Sequence, residues 1–199
     1  MAWVIEVQRV VLDANVLYPA PLRDLLMHLT LARAFQAHWT NLIHDEWTRN
    51  VLRVHPELTA ARLQRTSDLM NHHARDALVT GFEKRIRGLT LPDPDDRHVL
   101  AAAIHISATR IVTFNLKDFP ISNLEPHGIR AIHPDAFLLE VLRSYPANTV
   151  LAVTRQWQSM KAPAVSLPEL LVIFERQGLA KFAQQLRVEM VALIEPQAE

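Results

Sequence analysis

The apolar positions of this chain follow two rhythms. In the first, short stretches rich in apolar and β-branched residues stop at a polar residue: residues 7–12 close on Val10-Val11-Leu12 before Asp13, and further short stretches of this kind lie over 37–40, 110–113 and 129–132. Such runs read as strands of a parallel sheet buried on both faces, each reaching its carboxyl end at the polar residue. In the second, apolar residues recur three and four apart. Leu22, Leu25, Leu26, Leu29 and Ala32 predict a helix over 22–35, and the same spacing predicts helices over 42–54 and 59–75. The prolines and aspartates of Pro92-Asp93-Pro94-Asp95-Asp96 mark a loop that opens another helix, running on through Val99 to Ile106. Strands alternating with helices imply an α/β fold, a parallel sheet with helices on both faces. Beyond His133-Pro134 only the helical rhythm remains, over 135–144, 149–160, 167–176 and 179–193, with Pro146, Pro163, Pro168 and Gly178 as separators. The chain therefore divides into an α/β domain, 1–134, and a small all-helical extension, 135–199.

Composition narrows the function classes. With 49% hydrophobic and 21% charged residues among 199, the chain reads as a folded globular protein. It has no cysteine, which excludes disulfide frameworks, thiolate zinc sites and cysteine nucleophiles and agrees with a reducing compartment, the cytoplasm by default. The apolar stretch 1–12 is too short to span a bilayer and is interrupted by Glu6 and Arg9, so neither membrane insertion nor export is expected. Formal net charge is zero, so no general cationic field draws nucleic acid; yet 17 of the 21 basic residues are arginine, the side chain suited to bidentate phosphate contacts. The four glycines form no phosphate-cradling loop. Ten histidines include no paired metalloprotease motif, and the four tryptophans are scattered as core residues are.

The acidic residues carry the chemistry. Open parallel sheets bind ligands beyond the carboxyl ends of their strands. Three stretches expected there are acidic: Asp13 after the first strand, Asp93, Asp95 and Asp96 before a helix, and Asn115 with Asp118 after the strand that ends at Thr113. Glu46, on the helix after the second strand, can reach the same edge. Gathered carboxylates repel and push one another's pKa upward unless a cation joins them. Oxygen donors without cysteine favour Mg²⁺ or Mn²⁺ over zinc, and such ions assist in-line displacement at phosphorus. Taken singly, each acid also reads as a cap or a solvated helix charge.

Three ordered blocks carry a resemblance. Val10-Val11-Leu12-Asp13-Ala14-Asn15-Val16-Leu17-Tyr18-Pro19, Asp93-Pro94-Asp95-Asp96-Arg97-His98-Val99-Leu100-Ala101-Ala102-Ala103 and Ile111-Val112-Thr113-Phe114-Asn115-Leu116-Lys117-Asp118-Phe119-Pro120 resemble, in order and spacing, those of PIN-domain proteins over about residues 8–133. More narrowly, the chain resembles VapC-type toxin components of bacterial toxin–antitoxin pairs, including a branch with a helical C-terminal extension. The resemblance implies a PIN-like sheet and a metal-dependent endoribonuclease leaving 5′-phosphate and 3′-hydroxyl ends. It implies metal ligation or catalysis by Asp13, Glu46, Asp96, Asn115 and Asp118, with Asp93 as an auxiliary ligand. RNA is the implied substrate and a small antitoxin the implied partner. The chain departs from the commonest pattern at Asn115, where many members carry aspartate; an amide is a weaker ligand, which leaves one metal or two open.

Arg49 and Arg53, one and two turns beyond Glu46, are candidates for gripping RNA phosphates, as are Arg97 and Asn15 beside the acids, although an ion pair or a solvated face is the plainer reading of the arginines. Two rivals stand beside the nuclease. One is a phosphotransferase with Asp13 as nucleophile, which wants an acid where Asn15 stands; the other is a catalytically weak or inactive PIN-like RNA-binding or regulatory module, for which Asn115 argues. The helical extension suits antitoxin contact, a homodimer or RNA selection, and its apolar stripe of Leu138, Leu139, Val141 and Leu142 also suits plain packing.

Overall fold

The computed structural model describes residues 8–161 and 164–194, with side chains described through Val191. The start of the first predicted strand, Trp3, Glu6 and the separator Pro163 lie outside the described residues. The elements run β1 (Arg9–Leu12), α1 (Ala14–Leu17), α2 (Ala20–Leu31), β2 (Gln36–His38), α3 (Asn41–Val54), α4 (Ala60–His73), α5 (Glu83–Ile86), α6 (Arg97–His105), β3 (Arg110–Val112), α7 (Ile121–Leu124), β4 (Arg130–Ile132), α8 (Pro134–Ser144), α9 (Pro146–Ser159), α10 (Leu167–Arg176) and α11 (Ala180–Ile194). The expected α/β architecture with a parallel sheet and trailing helices is observed.

The described chain forms two compact units. The first, 8–18 with 35–133, holds a four-stranded sheet in the order β2-β1-β3-β4, every pair parallel. Val10, Val11 and Leu12 are wholly buried in the central β1, each such burial stabilising by about 1.5–3 kcal/mol, which is why the three residues before Asp13 are all aliphatic. β2 lies on one side of β1 and β3 on the other, so the chain order reverses between β1 and β3. Crevices form at such reversals, outside the carboxyl ends of the strands. Asp13 directly follows β1 and Thr113 directly follows β3. The second unit, 19–34 with 134–194, joins α2 to the four C-terminal helices. Leu22, Leu25, Leu26 and Leu29 put a fully buried stripe on α2, and Gln156 of α9 donates to the Pro21 carbonyl at 2.7 Å. Asp135 accepts from the Phe182 backbone N–H at 2.8 Å, closing the start of α11.

Several boundaries differ from the sequence expectation for local reasons. The helix expected over 22–35 ends at Leu31 because Arg33 turns left-handed (φ 58°), the Ala34 N–H bonding back to the Leu29 carbonyl at 3.1 Å. The same closure ends α6, with Ser107 at φ 53° and the Ala108 N–H on the Ala103 carbonyl at 2.9 Å. Both are Schellman ends, the kind that favour glycine because a Cβ is crowded there. β2 stops at His38, where Trp39 makes a lone parallel bridge to Leu78 and the Thr40 side chain caps α3. α1, α5 and α7, four residues each, were not anticipated; a single turn is too short to express a helical period.

The left-handed Ser107 yields a stability prediction. Ser107→Gly raises the unfolding free energy by about 0.5–1 kcal/mol, the relief of the Cβ clash less the entropy of a freer unfolded chain, and Ser107→Val lowers it. Denaturant melts of the two variants check the opposite signs.

Candidate metal centre

Asp13 is 3% exposed at the tip of β1, and its position is over-determined. One carboxylate oxygen, Oδ1, accepts the Ala14 backbone N–H at 2.7 Å, capping α1. The other accepts the Asn15 Nδ2–H at 2.6 Å and the Thr113 hydroxyl at 2.7 Å. That hydroxyl spends its one proton on Asp13, and its lone pairs accept Asn15 Nδ2–H at 2.8 Å and the Asn115 N–H at 2.9 Å. The Asn15 carbonyl oxygen accepts the Phe114 N–H at 3.0 Å. Asp13, Asn15 and Thr113 thus tie the ends of β1 and β3 into one network.

The remaining acids come from loops around that network. Asp93 accepts the Asp95 N–H at 2.8 Å and opens the turn Pro94–Asp96, and the Arg97 Nε–H braces that turn on the Pro94 carbonyl at 2.8 Å. Asp96 stands at the start of α6 without a side-chain capping bond. Asp118 ends the turn Leu116–Asp118 and accepts from the Asn115 side-chain amide. Asp93, Asp96 and Asp118 can each bring one carboxylate oxygen within 4.8 Å of the other two. Glu46, half-buried on α3, lies 3.7 Å from His98 Nε2 on α6.

These carboxyls feel one another. The Asp96 carboxyl is pushed from the usual 3.8 to about 7, by burial first and then by the charges of Asp13, Asp93, Glu46 and Asp118. The Asp13 carboxyl is raised to about 6 by burial, with Glu46 adding to the rise and the bonds from Thr113 and Ala14 and the nearby His98 opposing it. Of the six acids read from the sequence, Asp13, Glu46, Asp93 and Asp118 thus act on a fifth, Asp96. The donor set is hard oxygen, and its three-oxygen span suits the 2.0–2.6 Å bonds of Mg²⁺, Mn²⁺ or Ca²⁺, roughly. A divalent cation fits these residues.

Comparison with known proteins decides the family, because residues 9–117, more than half of the chain, match the PIN domain. The chain belongs to the PIN-domain family. Residues 134–188 match the VapC50 C-terminal domain, in agreement with the expected helical extension. A Mycobacterium tuberculosis (strain ATCC 25618 / H37Rv) protein named "Putative ribonuclease VapC50" is 56% identical over 54 residues, 27% of this chain and 32% of that protein. The chain thus spans about a third of the length of the curated relative that it matches. No solved structure matches significantly.

Asp93, Asp96 and Asp118 form the tight group, while both carboxylate oxygens of Asp13 accept hydrogen bonds and Glu46 lies beside His98; the charges of both raise the Asp96 carboxyl. Asn15 is engaged at both ends of its amide inside the network. Arg49 and Arg53 are exposed on α3 and pair with no described acid. One neighbour of the site carries no separate signal in the sequence. Thr113 looked like the last residue of an apolar strand, and only its burial beside Asp13 reveals its hydroxyl as the hub. His98, like His44, falls near the acids in the sequence, where it reads as a residue that could touch substrate and more plainly as a surface or partly buried histidine; the structure places its Nε2 3.7 Å from Glu46.

The raised pKa values carry a sign. In the metal-free chain Asp96 and Asp13 titrate near 7 and 6 when folded and near 3.8 when unfolded, so the folded state holds more protons in between. Their stabilising contribution is complete below about pH 4 and is lost as pH rises through about 7. In chelator the melting temperature accordingly falls from pH 5 to pH 8, and Asp96→Asn flattens much of that fall. A native chain that melts higher at pH 8 than at pH 5, with Asp96→Asn running parallel to it, contradicts the arrangement.

Proposed function

We propose that this chain is a Mg²⁺- or Mn²⁺-dependent endoribonuclease and the toxin half of a toxin–antitoxin pair. The observation that carries the proposal is the convergence of Asp93, Asp96 and Asp118 beside Asp13 and Glu46 at the carboxyl edge of a PIN-domain sheet. The match of 134–188 to the VapC50 C-terminal domain and the ribonuclease name of the relative support the narrower reading.

In this reading Asp93, Asp96 and Asp118 hold the ion, and Asp13 and Glu46 complete its surroundings. When bound, the cation supplies charge that stabilises the oxygens of an in-line phosphoryl displacement and activates water. The chain's own residues do the rest. Asn15 and Thr113 lock Asp13 so that it needs no reorganisation, which is the basis of electrostatic preorganisation. The Asn115 amide aligns Asp118, so the carboxylate missing at position 115 is supplied three residues later. Arg49 and Arg53 grip phosphates of a single-stranded RNA, and Arg97 shapes the loop that presents Asp93 and Asp96. A cognate antitoxin silences the site, and the helical C-terminal part serves its recognition.

A second reading, a PIN-like module that holds RNA without cutting it, is favoured by one observation, the amide at Asn115. Incubation of the purified full chain with RNA separates the two. Cleavage that requires Mg²⁺ or Mn²⁺, stops with chelator, leaves new 5′-phosphate ends and falls at least about 100-fold in Asp96→Asn and in Asp13→Ala supports the enzyme. RNA bound but intact under all conditions supports the module. Arg49→Ala and Arg53→Ala each weaken RNA binding evenly across sequences, and each reduces the slope of log affinity against log salt by about 0.7.

A further inference from the structure

Glu46 sits on α3 between two buried rings, His44 at 5% exposure and Trp47 at 0%. A chain of hydrogen bonds runs through those rings to another helix. The indole N–H of Trp39, just past β2, donates to Asn71 Oδ1 on α4 at 2.7 Å, and His44 Nε2 lies 3.2 Å from the same oxygen. Trp47 donates its indole N–H to His44 Nδ1 at 3.0 Å. An indole can only donate, so the Asn71 atom must be the carbonyl oxygen and His44 Nδ1 a lone pair, which leaves His44 Nε2 as the second donor to Asn71. One asparagine oxygen thus collects two N–H donors, from the end of β2 and from the first turns of α3. Trp39 also exchanges backbone bonds with Ala77 and Val79, at 3.0 and 2.8 Å, anchoring this corner to the sheet edge.

The arrangement sets the rotation of α3 about its axis. The Thr40 cap fixes where the helix starts, its hydroxyl oxygen accepting the Ile43 N–H at 3.1 Å, and the clamp holds the face that carries His44 and Trp47. A carboxylate about 5–6 Å from a helix axis moves by about 1 Å when the helix turns by about 10°. Misplacement of that size beside a reacting group costs about 100-fold in rate. We propose that Asn71 is a positioning residue: through His44 and Trp47 it holds the turn of α3 that presents Glu46 to the Asp96 centre. This rests on the nuclease reading and assigns a role to a residue outside the acidic motifs.

The test is a Mn²⁺ titration of the full chain, free ion followed by electron paramagnetic resonance, on native protein, Asn71→Leu, Glu46→Gln and the double variant. The expected result is about a tenfold loss of Mn²⁺ affinity in Asn71→Leu, a comparable loss in Glu46→Gln, and no further loss in the double variant, because both act through one carboxylate. Trp47→Phe keeps an aromatic ring, removes the N–H, and gives a smaller loss that also vanishes beside Glu46→Gln; it carries the comparison if Asn71→Leu does not fold. The proposal is overturned if the folded variants bind Mn²⁺ within twofold of native, or if they lose as much affinity beside Glu46→Gln as without it. A native chain that binds no Mn²⁺ removes the nuclease reading itself, and this role with it.

Discussion

Like charges brought together out of water raise the free energy of a fold, and this chain brings five carboxyls to one sheet edge. Asp96 bears the largest part of that conflict, held at about 7 by burial and by four neighbouring acids. A protein built only for stability does not keep such a cluster, since neutral residues at these positions fold more favourably. The conflict is resolved by protons at low pH, or by a cation at neutral pH, and the proposed activity is the second resolution put to use.

Around that centre the fold divides the labour between rigid and adjustable parts. Asp13 is fixed by strand ends and by a saturated hydroxyl, so it cannot yield to its neighbours' charge by moving. Asp93 and Asp96 come from the turn that leads into α6, and Asp118 from the turn that follows β3. Loops on a rigid scaffold are where ligand-binding groups collect, because their backbone can adapt while the scaffold keeps the register. Glu46 reaches the same spot from a helix whose setting depends on its own buried clamp.

The strands and most of the long helices were legible because burial on both faces of a parallel sheet writes short clusters of adjacent apolar residues, such as Val10-Val11-Leu12 and Ile111-Val112, and burial on one face of a helix writes a period of three and four. The acids were legible because charge at a strand end or a helix start stands out against those runs. Thr113 was not, since a hydroxyl closing an apolar run looks like strand, and its partners Asp13 and Asn15 lie about a hundred residues away in sequence. The assembly of α2 with the C-terminal helices was hidden for the opposite reason: the Leu22, Leu25, Leu26, Leu29 stripe says that a face is buried and is silent on what buries it. Left-handed Arg33 and Ser107 carry no glycine signal, so the helix end at Leu31 could not be placed.

The central claim is that Asp96 shares a cation with its acidic neighbours. Anomalous diffraction from crystals grown with Mn²⁺ tests it most directly. The account predicts a peak within coordination distance of an Asp96 oxygen, also ligated by Asp93 or Asp118, with Asp13 and Glu46 on its near side. A crevice that stays empty at saturating Mn²⁺, or an ion bound elsewhere with Asp96 uninvolved, contradicts it.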